Sequence, residues 1–165
     1  RAPHHSMDLE QLSMTTIYLG WGFKSDAGQD SFSSCWLQAC QHQPQLKSWQ
    51  GPVSFSVLHS KARTAAAIAL ESWADLTFPD LQWSCHAESD IQQIKTPSTS
   101  ERLLQRFATG SVSEALALLA AHRSADALSN PLLLAKRIVS EDRRATLAIA
   151  RGTQHSHILE TGAFS

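Results

Sequence analysis

The chain has 165 residues, of which 42% are hydrophobic and 18% charged, and its 14 Lys and Arg residues are balanced by 15 Asp and Glu residues. A chain of this length and composition is expected to fold as one globular domain with a hydrophobic core. The formal charge of -1 excludes the broad positive field that non-specific nucleic-acid binding needs. No apolar run reaches the roughly 20 residues of a membrane span, and the start lacks the apolar core of a signal peptide. We therefore expect a cytoplasmic protein with neither a nucleic-acid nor a membrane partner.

The sequence gives no support to metal or redox chemistry. Three cysteines, Cys35, Cys40 and Cys85, have none of the spacings typical of zinc or redox sites. The eight histidines are scattered singly or lie near the ends, and none forms an i, i+4 pair with an acidic partner. We expect neither a metal site nor a cofactor.

The first predicted unit is a strand, a glycine-containing turn and a helix. Residues 15–23 are β-branched and aromatic, which predicts a strand, and the glycines predict a turn over residues 20–28. Residues 31–42 have apolar side chains at helical spacing. The glycine pattern of a dinucleotide fold is incomplete, because Ser25 stands where its third glycine would be.

This first turn is still a candidate anion site. The amides of Gly20 and Gly22, with the following helix N-terminus, favour a bound anion, and Lys24 and Ser25 would complete a cradle for a carboxylate or phosphate. Trp21 lies between the two glycines, where its ring could pack on a planar ligand. The alternative is an ordinary tight turn with a solvated lysine.

A second candidate site follows the next predicted strand. The sequence predicts a strand at residues 53–58, a helix at 64–76 and a third strand at 81–85. His59 and Lys61 follow the second strand, at the edge where ligands collect in open α/β sheets. Lys61 is a candidate for anion binding there, and the alternative is a lysine that is simply exposed.

The C-terminal half is predicted to contain more helices and a hairpin. Residues 88–94 predict one or two helical turns, and residues 101–108 a helix that Thr109 and Gly110 end. Ser111 and Glu114 form a capping box: the Ser111 hydroxyl accepts from the Glu114 amide, and the carboxylate reaches back. A helix over residues 115–121 follows, and then two strands, 132–139 and 145–150, joined by a short polar spacer that predicts an antiparallel hairpin.

Two charged residues interrupt the first strand of this hairpin. Lys136 and Arg137 stand between apolar residues, and adjacent strand positions point to opposite faces. They indicate either a binding site or an edge strand that uses charge against aggregation.

The order of elements predicts an α/β fold. We expect a three-layer α/β/α arrangement with a mixed, mostly parallel sheet of about five strands that ends in a C-terminal β-hairpin. Residues 15–151 would form the domain, with flexible tails at residues 1–14 and 152–165.

Several short segments, taken in order, form one pattern. They are residues 20–25 (GWGFKS), Lys61, Pro97-Ser98, Thr109-Gly110 with Val112 and Glu114-Ala115, residues 134–137 (LAKR) and residues 145–150 (ATLAIA). Together they resemble the cobalamin-biosynthesis family that includes CobE and the C-terminal domain of CbiG. The resemblance covers most of residues 17–151. It departs from the family pattern at His59, where the family has an acidic residue.

The resemblance implies a partner, a precorrin or corrinoid intermediate, and it makes other enzymes of the pathway candidate partners. Such a ligand is a flat ring with many carboxylate arms. Its binder needs apolar surface together with cationic and amide donors. The ligand-binding candidates are then Gly20, Trp21, Gly22, Lys24, Ser25, Lys61, Thr109, Gly110, Lys136 and Arg137.

Two functions follow from the resemblance. The first is a carrier or accessory protein that binds the intermediate. The second is a hydrolase, similar to CbiG, that opens a lactone on a cobalt-precorrin and releases acetaldehyde. In the hydrolase, Glu114 or His59 would be the general base, and Lys61 or Lys136 would stabilise the oxyanion. The capping box offers a purely structural role for Glu114, and an interaction module without a ligand is a third possibility.

Overall fold

The computed structural model describes residues 15–92, 94–97, 111–124 and 131–152. Both predicted tails, apart from Gly152, and the predicted helix at 101–108 lie outside the described residues. No helix in the described ranges is long and apolar enough to cross a membrane. The strands are β1 (Ile17–Phe23), β2 (Val53–Leu58), β3 (Leu81–His86), β4 (Pro131–Val139) and β5 (Ala145–Gly152). The α-helices are α1 (Gln29–His42), α2 (Ala65–Thr77), α3 (Glu88–Ile91) and α4 (Val112–His122), with 3-10 helices at Pro44–Ser48 and His59–Lys61.

The five strands form one mixed sheet in the order β3-β2-β1-β5-β4. β1, β2 and β3 are parallel, whereas β5 runs antiparallel to β1 and forms the terminal hairpin with β4. α1 and α2 share a hydrophobic core with one face of the sheet, and α4 packs on the other face. The predicted three-layer α/β fold with its closing hairpin is confirmed.

The alternation of side chains along β1 explains both layers. Ile17, Leu19, Trp21 and Phe23 belong to the core under α1 and α2, while Tyr18 packs with the alanines of α4. Successive strand residues point to opposite faces. Gly20 and Gly22 therefore share the α4 face with Tyr18.

Trp21 is the centre of an aromatic cluster. Its ring is 5.5 Å from Phe32 of α1, 5.4 Å from Phe55 of β2 and 5.7 Å from Trp73 of α2, measured between centroids. Aromatic pairs of this kind contribute about 1 kcal/mol each beyond the burial of their area. Trp21 is only 1% exposed, so the prediction that its ring lies at a ligand edge is wrong. Its position in β1 directs it into the core instead.

Gly20 of β1 admits the close approach of α4. A Cβ atom on Gly20 would overlap the backbone carbonyl oxygen of Ser113 and lie 2.6 Å from the backbone nitrogen of Ala117. The prediction of a turn that starts at Gly20 is therefore wrong. Both glycines lie within the strand. The α4 backbone passes directly over Gly20, whereas a Cβ on Gly22 would lie 2.7 Å from Thr146 Oγ1 on β5.

A polar chain connects β2 and β3 to α4 and α3. The hydroxyls of Ser56 and Ser84 are 2.9 Å apart, Ser84 is 3.1 Å from His86 Nε2, and His86 Nδ1 is 3.4 Å from Arg123 Nη1. Arg123 also pairs with Asp90 at 3.3 Å. Because a guanidinium only donates, Nδ1 accepts, and the neutral imidazole donates from Nε2 to Ser84. Burial, with the nearby Arg123 charge, lowers the pKa of His86 from its ordinary value of 6.5.

We expect Gly20→Ala to lower the free energy of unfolding by about 3 kcal/mol, because a backbone rather than a flexible side chain fills the space. Gly28→Ala is the matched control, since no atom lies within 4 Å of the position that a Cβ would take there, and it should cost about 1 kcal/mol or less. Urea unfolding measures both values, and equal losses would contradict the close packing.

We expect the folded state to lose stability as the pH falls below 6.5. In that range His86 binds a proton more readily in the unfolded chain than in the folded protein. Between about pH 7 and about pH 5, His86→Gln should flatten this dependence. His42→Gln, at an exposed histidine, should leave it unchanged. A pH profile of His86→Gln identical to that of the wild type would refute this role for the imidazole.

Candidate functional site

The candidate site lies where the parallel strands end. We call this region the carboxyl edge and define it as residues 24–28, 59–64 and 111–114. Lys24 follows β1 directly, and the His59–Lys61 turn follows β2. β1 and β2 are neighbours in the sheet, so these two loops are adjacent. The predicted placement of Lys24 and Lys61 at one edge agrees with this topology.

Among the residues that the structure describes, three helices begin at the carboxyl edge. The N-caps of α1, α2 and α4 are Gly28, Thr64 and Ser111. The Ser113 nitrogen would be 3.9 Å from a Cβ on Gly22, which places the start of α4 beside the end of β1. Helix N-termini carry a partial positive charge, so each of these helix starts favours an anion at this edge.

β1 and β2 separate before they reach this edge. Their pairing ends at Gly20 and Ser56, yet β1 continues to Phe23 and β2 to Leu58. In open α/β sheets, ligands bind in the crevice outside the carboxyl ends of the strands. The ends of β1 and β2, which no longer pair with each other, are such a position.

The lysines of the carboxyl edge are available to a ligand. Lys24 is exposed and Lys61 partly exposed. Within the described ranges, neither side chain has a hydrogen-bond or ion-pair partner. The backbone of Lys24 is fixed, because its N–H donates to the Arg144 carbonyl at 2.8 Å. The loop is therefore anchored while the ammonium group stays in solvent.

Several nearby carboxylates are already engaged. Asp142 accepts hydrogen bonds of 2.6 Å from both Ser140 and Ser31, and these bonds lower its pKa. Asp26 pairs with Arg144 at 3.4 Å, although both side chains are largely exposed. Internal partners for these acids reduce their competition for the lysines.

Glu114 holds α4 against β4. Its N–H donates to Ser111 Oγ at 3.3 Å, which confirms the predicted N-cap. Its carboxylate is fully buried, and Oε2 accepts from the backbone N–H of Arg137 at 2.9 Å. The pairing of β4 with β5 shifts register between Ala135 and Ile138, as at a β-bulge. Such irregularities leave backbone groups unpaired, and Glu114 accepts from one of them.

The remaining predicted site residues are distributed as follows. Ser25 and His59 are exposed at the carboxyl edge, beside Lys24 and Lys61 respectively. Lys136 is exposed and Arg137 partly exposed on β4, an edge strand that β5 separates from β1. Thr109 and Gly110 lie outside the described residues. In the residues that the structure describes, no group of three or more His, Cys, Asp or Glu could hold a metal ion.

Sequence reasoning missed the link between the hairpin and α1. Ser31 accepts from the Gly28 N–H at 3.2 Å and donates to Asp142, 111 positions away. This contact fixes the N-terminus of α1 at the carboxyl edge. No local sequence signal reports a pairing over that separation.

Comparisons with known proteins agree with this architecture. The family described as "Cobalamin synthesis G C-terminus" matches residues 17–150. The chain is similar to the solved structure of CobE, described as a protein from the cobalamin (vitamin B12) biosynthetic pathway, with a TM-score of 0.67, 18% identity and coverage of 84% of this chain and 92% of that one. It is also similar to the cobalamin biosynthesis protein chiG from Agrobacterium tumefaciens str. C58, with a TM-score of 0.50, 20% identity and coverage of 83% and 98%.

No curated protein matches the sequence. At identities this low the two structural likenesses show the fold, whereas the family match spans most of the chain. The chain therefore belongs to the Cobalamin synthesis G C-terminus family and is a cobalamin biosynthesis protein of the group that includes CobE, as its ordered sequence segments predicted.

Proposed function

We propose that the chain binds a flat, polycarboxylate corrinoid intermediate of cobalamin biosynthesis at its carboxyl edge, as a carrier or accessory protein. One observation carries the proposal. Lys24 and Lys61 follow neighbouring strands, and neither has a partner for its side chain within the described ranges. Membership of the Cobalamin synthesis G C-terminus family supports a corrinoid as the class of ligand.

The electrostatics of the edge suit such a ligand. Each carboxylate arm of a corrinoid needs a donor, and charge-assisted hydrogen bonds to lysine are among the stronger ones. The N-termini of α1, α2 and α4 add partial positive charge. Nearby Asp142 keeps its negative charge, but its carboxylate oxygens accept from Ser31 and Ser140 rather than from the lysines. The charge of -1 on the whole chain does not set the field at this edge, which depends on the groups that lie there.

The buried position of Glu114 favours a structural role for this carboxylate. A general base must reach the proton that it removes, whereas Glu114 is 0% exposed and accepts from the Arg137 amide. Burying a carboxylate without partners is costly. This contact therefore supports a role in joining α4 to β4.

A lactone-opening hydrolase is the second candidate function, and His59 is the residue that favours it. The imidazole is exposed, and it lies in the same 3-10 turn as Lys61. A base and a cation at one strand end are the groups that lactone hydrolysis requires.

For the binding proposal, we expect a metal-free corrinoid with free carboxylates to change its visible spectrum on titration with protein at tens of micromolar, roughly. Lys24→Gln and Lys61→Gln should each weaken binding by about tenfold, because each removes a charge-assisted contact. Ser72→Glu, at an exposed position on α2, changes the net charge equally and should have little effect. Binding should also weaken as salt is added. Absence of any spectral change, or equal effects of all three variants, would overturn the proposal.

For the hydrolase, we expect acetaldehyde from a lactone-bearing precorrin, and loss of at least about a hundredfold in its rate of release in His59→Ala. A coupled assay for acetaldehyde measures the product directly. His42→Ala is the control, as another exposed histidine on a different part of the surface. Binding of the precorrin without release of acetaldehyde would support the carrier function and rule out the hydrolase.

A further inference from the structure

A cavity of about 280 Å³ lies at the opposite end of the sheet from the carboxyl edge. α1 and α2 end there, and β2 and β3 begin there. We call it the amino-edge cavity. Its principal lining residues are Trp36, Lys47, Trp49, Thr77, Phe78 and Asp80.

Aromatic rings form fixed apolar walls of the amino-edge cavity. Trp36 of α1 and Phe78 after α2 meet edge to face, with centroids 5.0 Å apart and planes at 78°. The indole N–H of Trp49 donates to the Pro52 carbonyl at 3.4 Å. Both tryptophans remain partly exposed. Large rigid aromatic surfaces that stay accessible are typical of small-molecule sites.

Two opposite charges line the same cavity without pairing. Lys47 and Asp80 are both exposed. Among the described residues, neither side chain has a hydrogen-bond or ion-pair partner, including the other. The backbone of Asp80 is fixed, because its carbonyl accepts from the Val53 N–H at 3.2 Å. The main chain at Asp80 is therefore anchored beside the cavity, while its carboxylate stays exposed.

We propose that the amino-edge cavity binds a small zwitterion of the α-amino-acid class with an apolar body. The ligand's ammonium group pairs with Asp80, its carboxylate pairs with Lys47, and its side chain packs against Trp36, Trp49 and Phe78. The ammonium also benefits from the aromatic faces and from the C-terminal end of α2, whose partial charge is negative.

The size of the cavity separates this site from the proposed corrinoid site. Drug-sized ligands occupy pockets of roughly 300–1,000 Å³, and this cavity lies just below that range. It is large enough for an amino acid and too small to enclose a tetrapyrrole ring. The inference therefore goes beyond the proposed function and does not depend on it.

A matched set of probes tests the proposal on the intact protein. L-phenylalanine carries both charges, 2-phenylethylamine lacks the carboxylate, and 3-phenylpropionate lacks the ammonium group. L-leucine and L-methionine vary the apolar body. We expect tryptophan fluorescence to titrate with at least one of the three amino acids, with a dissociation constant of about 1 mM or tighter. Either phenylalanine analogue should bind at least about tenfold more weakly than L-phenylalanine if that amino acid binds, because each lacks one charge pair.

Variants complete the test. Asp80→Asn and Lys47→Gln should each weaken binding of the responsive amino acid by about tenfold, while the exposed controls Asp75→Asn and Lys95→Gln should not change it. No saturation by any of the three amino acids up to about 10 mM overturns the proposal. Equal binding of 2-phenylethylamine and L-phenylalanine, or equal effects of pocket and control variants, overturns it as well.

Discussion

The close packing of α4 on β1 depends on a glycine, Gly20, which has no side chain. At Gly20 the backbones of Ser113 and Ala117 approach so closely that a methyl group does not fit. This contact sets the depth of α4, and thereby brings its N-terminus beside the end of β1. It also brings the Glu114 carboxylate to the Arg137 amide on β4. The same steric constraint therefore determines the position of α4, its contact with the edge strand β4 and the place of its N-terminus at the carboxyl edge.

The carboxyl edge acquires its chemistry from this arrangement. α1 and α2 begin there because a parallel β-α-β connection requires it, and α4 joins them from the other face of the sheet. Lys24 and Lys61 add full charges to these partial ones. The hydroxyls of Ser31 and Ser140 donate to Asp142, so the oxygens of this carboxylate are not paired with the two lysines. A chain that is nearly neutral overall can still present a local anion-binding surface.

Most elements were predictable because their signals are local. The alternation in residues 53–58, the alanine-rich helix at α2 and the Ser111 cap each depend on a few neighbouring residues. The predictions for Gly20 and Trp21 were wrong because a glycine in the sequence is equally compatible with a turn and with a strand under a closely packed helix. Only the distant partner, α4, distinguishes the two. An edge strand was one of the two interpretations of Lys136 and Arg137, and β4 is such a strand. The contact of Glu114 with the Arg137 amide depends on a bulge that no local sequence pattern reveals.

The central claim is that a polycarboxylate ring binds at the carboxyl edge. Acetylation of lysines, quantified by mass spectrometry with and without a metal-free corrinoid, tests it most directly. The account predicts protection of Lys24 and Lys61, with Lys47 at the amino edge equally reactive in both states. Protection of Lys47 without protection of Lys24 and Lys61 would contradict it.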